Sequence, residues 1–258
     1  MNQASPFRDA NVLITGGSTG IGLGLAQRFL AAGSRVLVTG RDRARLQQAA
    51  AQHPGLETLA SDIADADARE QLAQQVRDVM PGLNVLVNNA GIQRRVSIAA
   101  DRSPWRERQA EIDTLLAGPL HLGHLLVPVI VSQDGPGWVV NVTSGGAYVP
   151  QPFAPIYSAC KAALHSYTVN LRFALRHTRC RVVEVIPPAV RTALAGPGAT
   201  HGAPLDDFCD TVFAGLEQPG NDEVGFGITA SERFKAPKQL YREMFDEFSG
   251  RFPVDVYE

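Results

Sequence analysis

The stretch that decides the fold is VLITGGSTGIG, residues 12–22. It joins a short apolar run, typical of a buried strand, to a helical segment that starts near Ile21. At this junction Gly16 permits a tight turn, Gly20 lets the backbone approach a pyrophosphate, and Gly22 allows close helix–sheet packing. The N-terminus of the helix adds free N–H groups and a positive dipole. The stretch therefore predicts a dinucleotide-binding turn, although glycines alone are equally compatible with a turn that binds nothing.

Similar apolar runs recur along the chain, with room for a helix between them. The runs predicted as strands are residues 12–15, 35–39, 57–60, 84–88, 138–143 and 181–186. Helix-length segments rich in Ala, Leu, Gln and Arg include residues 21–32, 41–51 and 66–80. Several runs are apolar on both faces, as expected for a parallel sheet covered by helices on both sides. The pattern predicts an α/β fold: a single-domain Rossmann fold with a doubly wound, mostly parallel sheet and helices on both faces.

Length and composition exclude several other classes. The chain has 258 residues and a net charge of -2, from 24 Lys and Arg against 26 Asp and Glu, so it lacks a basic field suited to nucleic acid. Its 45% hydrophobic and 19% charged residues are typical of a globular protein. Cys160, Cys180 and Cys209 show neither disulfide-framework nor zinc-ligand spacing, and the first residues lack the apolar core of a signal peptide. We expect a cytoplasmic protein that binds no metal and no nucleic acid.

One uncharged segment has to be examined as a possible membrane span. Residues 115–131 carry no Asp, Glu, Lys or Arg, but they contain two prolines and fall short of the roughly 20 apolar residues that a membrane span needs. We predict a buried helix there and no membrane association.

Residues 187–204 are dense in Pro, Gly and Ala, which predicts a substrate-covering lid over about residues 187–216. Residues 205–216 and a C-terminal segment at about residues 237–248 are expected to be helical, and no linker divides the single NAD(P)-binding domain, residues 1–258.

The end of the second predicted strand bears on the choice of nucleotide. An acidic side chain at this position would bind the ribose 2′-hydroxyl, whereas an arginine favours a 2′-phosphate. Here the strand is followed by Arg41, Asp42 and Arg43, so Arg41 favours NADP(H) over NAD(H). Two alternatives remain open. Asp42 could bind the ribose or act as an acid in the first turn of the next helix, and the arginines, Arg43 especially, could be solvated surface charges.

Three polar residues near the fifth predicted strand form a candidate catalytic group. Tyr157 and Lys161 stand at i and i+4, which puts them on one helix face about 6 Å apart at their bases. A phenol with a pKa of about 10 is a poor base at neutral pH, but a nearby ammonium favours the phenolate and eases proton transfer. Ser144, at the adjoining strand end, can hydrogen-bond a substrate oxygen, while hydride passes to or from a nicotinamide beside them.

Several motifs, taken in their order along residues 11 to about 192, resemble those of the short-chain dehydrogenase/reductase family. They are the turn at residues 15–22, NNAGIQ at residues 88–93, Ser144, Tyr157 with Lys161, and PPAVRT at residues 187–192. NNAGIQ and the double proline are similar to the DltE-like branch of that family. The resemblance implies a small-molecule carbonyl or alcohol substrate. It also implies a homodimer or homotetramer built on the helices predicted at residues 104–131 and 155–176.

The resemblance further implies a set of nucleotide contacts. Asp62 would contact adenine, Asn89 to Gly91 would line its ribose, and Lys161 would hold the nicotinamide ribose, with Val190 and Thr192 at the carboxamide. The cofactor-binding residues expected are Gly16, Ser18, Thr19, Gly20, Ile21, Arg41, Asp62, Ile63, Asn89, Ala90, Gly91, Tyr157, Lys161, Pro187, Val190 and Thr192. Substrate contacts are expected from residues 93–96, 145–153 and 187–204.

One position departs from the family pattern. Many members carry an asparagine in the helix after the fourth strand, and its backbone carbonyl holds a water that links the lysine to bulk solvent. Leu115 stands there in this chain, and no asparagine occurs between Asn89 and Asn141. Because the contact uses the main chain, we expect activity to survive, although the helix kink loses a bracing side chain.

The sequence thus predicts an NADP(H)-dependent oxidoreductase that interconverts a carbonyl and an alcohol on a small to medium-sized organic substrate. In this interpretation Tyr157 is the general acid/base, Lys161 lowers its pKa, and Ser144 orients the substrate oxygen. Two alternatives remain: an NADPH-binding regulatory or catalytically impaired protein, or a non-redox relative such as an epimerase or dehydratase.

Overall fold

The computed structural model describes residues 5–196, 201–249 and 254–258, and within them a parallel sheet of seven strands forms the centre of the molecule. The strands are β1 Asn11–Thr15, β2 Arg35–Gly40, β3 Leu56–Ala60, β4 Val85–Asn88, β5 Gly137–Val142, β6 Cys180–Ile186 and β7 Glu223–Gly225. Their order across the sheet is β3-β2-β1-β4-β5-β6-β7. The winding direction reverses between β1 and β4, and a crevice for ligands is expected beyond the carboxyl ends of strands at such a point.

Eight α-helices connect and cover the strands within the same residues. They are α1 Gly20–Ala31, α2 Arg43–Gln52, α3 Ala66–Val79, α4 Trp105–Ile112, α5 Gly118–Val131, α6 Pro155–Ala174, α7 Leu205–Glu217 and α8 Glu232–Ser249. The strand sequence decides which face each helix covers, because successive side chains point to opposite faces. In β1, Val12 and Ile14 pack into the core under α1, α2 and α7, whereas Leu13 packs into the core under α3, α5 and α6. The predicted doubly wound fold is confirmed.

The long helix predicted at residues 104–131 is divided by a π-helical segment. This segment, Asp113–Ala117, lies between α4 and α5. By length and composition alone, Trp105–Val131 could cross a membrane, but half of its most apolar window is buried inside the protein. Leu122, Leu126 and Ile130 of α5 pack against the sheet, as expected for a core helix.

The structure adds one strand to the predicted elements and moves the start of one helix. β7 pairs with β6 over only three residues, too short a run to stand out in the sequence. α8 begins at Glu232 rather than near residue 237, because Pro237 lies inside the helix instead of opening it. The helix predicted at residues 205–216 is confirmed as α7, and the lid at about residues 187–216 stays a prediction. Phe208, Val212 and Leu216 of this helix have no exposed surface, because they pack into the core beneath α1.

Candidate active site

The carboxyl ends of the central strands open into a cavity of about 1100 Å³. Residues on its wall come from the turn after β1, the ends of β2, β4, β5 and β6, and the first turns of α6. All the residues predicted for cofactor binding or catalysis line it: Gly16, Ser18, Thr19, Gly20, Ile21, Arg41, Asp62, Ile63, Asn89, Ala90, Gly91, Ser144, Tyr157, Lys161, Pro187, Val190 and Thr192. Residues far apart in the sequence therefore meet in one cavity. Over the part of the chain that the structure describes, no group of three or more His, Cys, Asp or Glu could hold a metal ion.

The turn after β1 needs glycine for two separate reasons. Gly16 has a φ of 64° and Gly20 a φ of 56°, in the left-handed region that other residues rarely adopt. A Cβ at Gly16 would also lie 2.8 Å from the Cα of Ala90. Gly22 lies outside the cavity wall, and a Cβ there would approach the carbonyl oxygen of Gly16 to 2.4 Å. It therefore packs the helix against the turn, in the role that the sequence predicts.

The N-terminus of α1 is prepared for an anion. Thr19, its N-cap, makes no side-chain capping bond, and the first turn contains no acidic residue. The first N–H groups of the helix lack partners within the helix, and the helix dipole places positive potential beside them. Asn89 fixes the turn from the other side, because its Nδ2 donates to the carbonyl oxygens of Thr15 at 2.9 Å and Gly16 at 3.1 Å. These residues fit the pyrophosphate of a dinucleotide.

At the end of β2 the two alternatives for Asp42 can be compared. Asp42 is the N-cap of α2: its Oδ1 accepts a hydrogen bond from the backbone N–H of Arg45 at 3.1 Å, and its Oδ2 lies 3.2 Å from Nε of Arg45. Its carboxylate is thus used at the start of the helix. Arg41 lines the cavity with a side chain 60% exposed and a loose ion pair, 4.0 Å, to Asp62. Arg43 is exposed and does not line the cavity.

Ser144, Tyr157 and Lys161 converge where β5 ends beside α6. Pro155 occupies the first position of α6, where a missing N–H costs nothing, and the helix then places Tyr157 and Lys161 one turn apart. Ser144 lies close enough to Tyr157 to lower the pKa of its hydroxyl, and the Oγ of Ser144 accepts a hydrogen bond from the N–H of Gly146 at 3.0 Å. Nζ of Lys161 lies 5.7 Å from the centre of the Tyr157 ring. The three functional groups thus share one end of the cavity.

Burial shifts the proton affinity of this group. It raises the pKa of Tyr157 above that of a free phenol, and the nearby Ser144 opposes the rise. A phenol with a raised pKa stays protonated at neutral pH, as a proton donor must. Burial also lowers the pKa of Lys161 to about 8, because an ammonium loses hydration in the interior. The lowering of the Tyr157 pKa by Lys161 stays a prediction.

Leu115 lies in the π-helical segment and reaches Tyr157 through apolar contacts. It is 1% exposed and packs in one cluster with Ala154, Tyr157 and Cys160. The distortion of the helix is therefore present without an asparagine side chain to brace it. At this position the chain stabilises the helix by burial of an apolar side chain.

Two contributions to the cavity wall carry no signal in the sequence. One is the segment after β7, from which Ile228, Arg233 and Phe234 line the cavity. No motif marks these residues, and the segment is held at the end of β6 by a hydrogen bond from Thr229 Oγ1 to the carbonyl oxygen of Ile186, at 2.6 Å. The other is Thr114, which lines the cavity beside Leu115 in the π-helical segment.

A buried carboxylate links the serine end of the site to α8. Glu184 on β6 has no exposed side-chain surface and accepts hydrogen bonds from Thr143 Oγ1 at 2.6 Å and Tyr148 Oη at 3.0 Å. His165 Nδ1 lies 2.8 Å from the same carboxylate. The Tyr148 ring meets Phe234 of α8 edge to face, with centres 5.2 Å apart. Residues 143–148, which include Ser144, are thus fixed at both ends.

Comparison with known proteins identifies relatives along most of the chain. The family model for short chain dehydrogenase matches residues 10–201. A Bacillus subtilis (strain 168) protein named uncharacterized oxidoreductase DltE is 44% identical over 241 residues, covering 91% of this chain and 93% of that protein. Serine 3-dehydrogenase of Agrobacterium fabrum (strain C58) is 30% identical over 247 residues, or 90% and 98% of the two chains. The crystal structure of a short chain dehydrogenase from Burkholderia cenocepacia J2315 in complex with NADP is similar with a TM-score of 0.79 and 26% identity, covering 93% and 98%.

Proposed function

We propose a specific reaction for this chain, which belongs to the DltE-like branch of the short-chain dehydrogenase/reductase family and is an NAD(P)-dependent dehydrogenase or reductase. In this proposal it uses NADP(H) to interconvert a carbonyl and an alcohol on a small to medium-sized organic substrate. The observation that supports this best is the meeting of Ser144, Tyr157 and Lys161 with the glycine-rich turn in one cavity. A nucleotide and a reacting carbonyl can therefore be held side by side.

The proposed mechanism assigns a separate task to each catalytic residue. When bound, the nicotinamide supplies hydride in the reduction and accepts it in the oxidation. The hydroxyl of Tyr157 donates a proton to the substrate oxygen in the reduction, which fits a phenol that burial keeps protonated. Ser144 donates a hydrogen bond to the same oxygen and holds it in place. Lys161 holds the nicotinamide ribose, and its positive charge favours the phenolate left after proton transfer.

The preference for NADP(H) over NAD(H) rests on the end of β2. Arg41 presents an exposed guanidinium to the cavity, whereas Asp42 is used as the N-cap of α2. We expect Arg41→Ala to weaken NADPH binding by about 10-fold or more and NADH binding little, since a hydrogen bond to a charged group contributes about 1.5–3 kcal/mol. Fluorescence titration with both nucleotides measures this, with Arg43→Ala as the matched control. An equal loss for NADPH and NADH would refute the contact with the 2′-phosphate.

Assembly and location complete the proposal. The chain works as a homodimer or homotetramer in the cytoplasm, with no nucleic-acid or membrane partner. The relative from Agrobacterium is named for a reaction on serine, a small molecule, in keeping with a small substrate here.

The proposed function is tested by a screen of NADPH consumption over ketones, aldehydes and imines, followed by fluorescence. Consumption with at least one carbonyl class supports the proposal. Tight binding of NADPH without consumption over the whole panel would contradict it and favour a regulatory binding protein. Conversion of a substrate with retained nucleotide and no net redox change would favour an epimerase or dehydratase.

A further inference from the structure

Two guanidinium groups on the cavity wall have no carboxylate partner among the residues that the structure describes. Arg95 follows β4 in the loop that begins at Gly91, and Arg233 lies in the first turn of α8. Neither makes an ion pair with Asp or Glu in residues 5–196, 201–249 or 254–258. The adjacent Arg94 behaves differently, since it pairs with Asp101 at 3.2 Å and Glu107 at 3.2 Å. Carboxylates are thus present near this loop, yet they pair with Arg94, and the guanidinium of Arg95 faces the cavity without one.

The charges on the cavity wall are segregated. Its described wall contains two carboxylates, Asp42 and Asp62, and both lie at the β2 end beside Arg45 and Arg41. The region where Arg95 stands beside Phe153 contributes no described carboxylate to the wall. The part of the cavity beyond the nucleotide-binding turn is therefore net positive, which attracts an anionic group.

Arg95 is held ready to bind such a group. Its Nε donates to Oε1 of Gln93 at 3.3 Å, and its guanidinium carbon lies 5.4 Å from the centre of the Phe153 ring. The N–H of Val96 donates to the carbonyl oxygen of Phe153 at 2.9 Å, which joins the two loops. Nη1 and Nη2 make no hydrogen bond with any described residue. Because the Arg95 guanidinium is already held along one edge and one face, it loses little conformational freedom when both terminal nitrogens bind a carboxylate.

The same contacts connect Arg95 to the catalytic tyrosine. Gln93 Nε2 donates to Gln151 Oε1 at 3.4 Å, and the Ser158 hydroxyl accepts from the backbone N–H of Gln151 at 3.0 Å. Ser158 follows Tyr157 in α6. Arg95 thus has a defined position relative to the proton donor.

We propose that the substrate carries a carboxylate at the end remote from its carbonyl, and that Arg95 binds this carboxylate. The proposal rests on the proposed function and names the substrate class of that same site. The body of the substrate is apolar, because Val149, Phe153 and Ile228 line the cavity with exposed side chains. The class is therefore an oxo acid rather than a neutral ketone or aldehyde.

The test compares matched carbonyl compounds with NADPH: levulinate against methyl levulinate, and succinate semialdehyde against butanal. We expect kcat/KM to be at least 10-fold higher for each acid. Arg95→Ala should lower kcat/KM for the acids by roughly 10- to 100-fold and leave the neutral compounds within twofold, as for loss of a hydrogen bond to a charged group. Arg95→Lys should recover part of the loss. Arg102→Ala is the matched control, since Arg102 is exposed in the same loop but does not line the cavity.

A binding measurement keeps this inference separate from the proposed function. Calorimetry of the NADP-loaded protein with hexanoate and hexanamide should give binding of hexanoate that Arg95→Ala weakens, and no such effect for hexanamide. If neutral carbonyls are reduced as well as the acids, or if Arg95→Ala lowers both alike, the carboxylate site is refuted while the oxidoreductase stands. If no carbonyl is reduced, the proposed function fails. If, in addition, Arg95→Ala leaves the affinity for hexanoate unchanged, the carboxylate site is refuted as well.

Discussion

Lys161 carries a charge into the interior of the protein. Its side chain is 4% exposed, and its Nζ donates to the carbonyl oxygen of Val142 at 2.7 Å. One hydrogen bond replaces only part of the hydration that an ammonium has in water. The pKa of Lys161 therefore falls to about 8, from 10.5 for an unshifted lysine. The burial of this ammonium thus lowers the stability of the fold at neutral pH.

This cost predicts a pH dependence of stability. Between pH 8 and 10.5 the unfolded chain keeps the Lys161 proton while the folded chain has lost it, so stability rises with pH in this window. Relative to Lys161→Met, the free energy of unfolding of the wild type should increase by up to roughly 3 kcal/mol from pH 7 to pH 10.5. Urea denaturation of both proteins without nucleotide measures the difference. A difference between the two proteins that is constant with pH, or that falls, would contradict the burial of a charged Lys161.

Residue-level prediction from the sequence succeeds where position along the chain implies position in space. Ser144 and Tyr157 could be paired because a strand end and the next helix start meet at the same edge of a parallel sheet. Arg94 and Arg95 look alike in the sequence, yet Arg94 is paired with carboxylates and Arg95 is not. That difference depends on the path of the loop through residues 92–103, and no local pattern specifies it.

At the level of elements, the π-helical segment Asp113–Ala117 connects α5, which covers the sheet, to the cluster around Tyr157. Leu115 reaches Tyr157 from this segment and is buried with Ala154 and Cys160. The sequence could mark Leu115 as a departure from the family pattern. It could not predict the apolar packing, because that depends on how α6 lies against the distorted turn.

Truncation of Leu115 should therefore affect both stability and catalysis. We expect Leu115→Ala to lower the free energy of unfolding by about 2–5 kcal/mol, as for other buried leucines. The rate kcat should fall because Tyr157 loses a packing contact, while nucleotide affinity stays within twofold. Denaturant unfolding and steady-state kinetics give the two values, with Leu240→Ala on the exposed side of α8 as control. A Leu115→Ala protein with wild-type stability would show that the contact is unimportant.

Other elements differ in how well the sequence predicts them. Five of the first six strands are recognisable because they are apolar runs rich in β-branched residues and buried on both faces, whereas β3, LETLA, is mostly half-buried. β7 consists of Glu223, Val224 and Gly225, which form a strand only because β6 presents an edge to them. α8 contains Pro237 and has no buried residue, so neither its pattern nor its composition shows where it begins.

For the whole molecule, we predict that the chain associates with copies of itself. Trp105, at the start of α4, is 62% exposed, and Tyr241 on α8 is 70% exposed, although large apolar side chains usually lose water contact in a functional assembly. Sedimentation equilibrium at micromolar concentration should give two or four times the chain mass of 27.7 kDa. A single chain mass across the concentration range would contradict the predicted dimer or tetramer.

We propose that Tyr157 is the proton donor in a hydride-transfer reaction, and the variant Tyr157→Phe removes the donating hydroxyl alone. This change removes one hydroxyl and leaves the ring in its cluster with Leu115. We predict that turnover of the best substrate from the NADPH screen falls by about 100- to 10,000-fold, while NADPH affinity stays within twofold. Tyr241→Phe, which alters an exposed ring outside the cavity, should keep wild-type turnover. Near wild-type turnover in Tyr157→Phe would contradict the account.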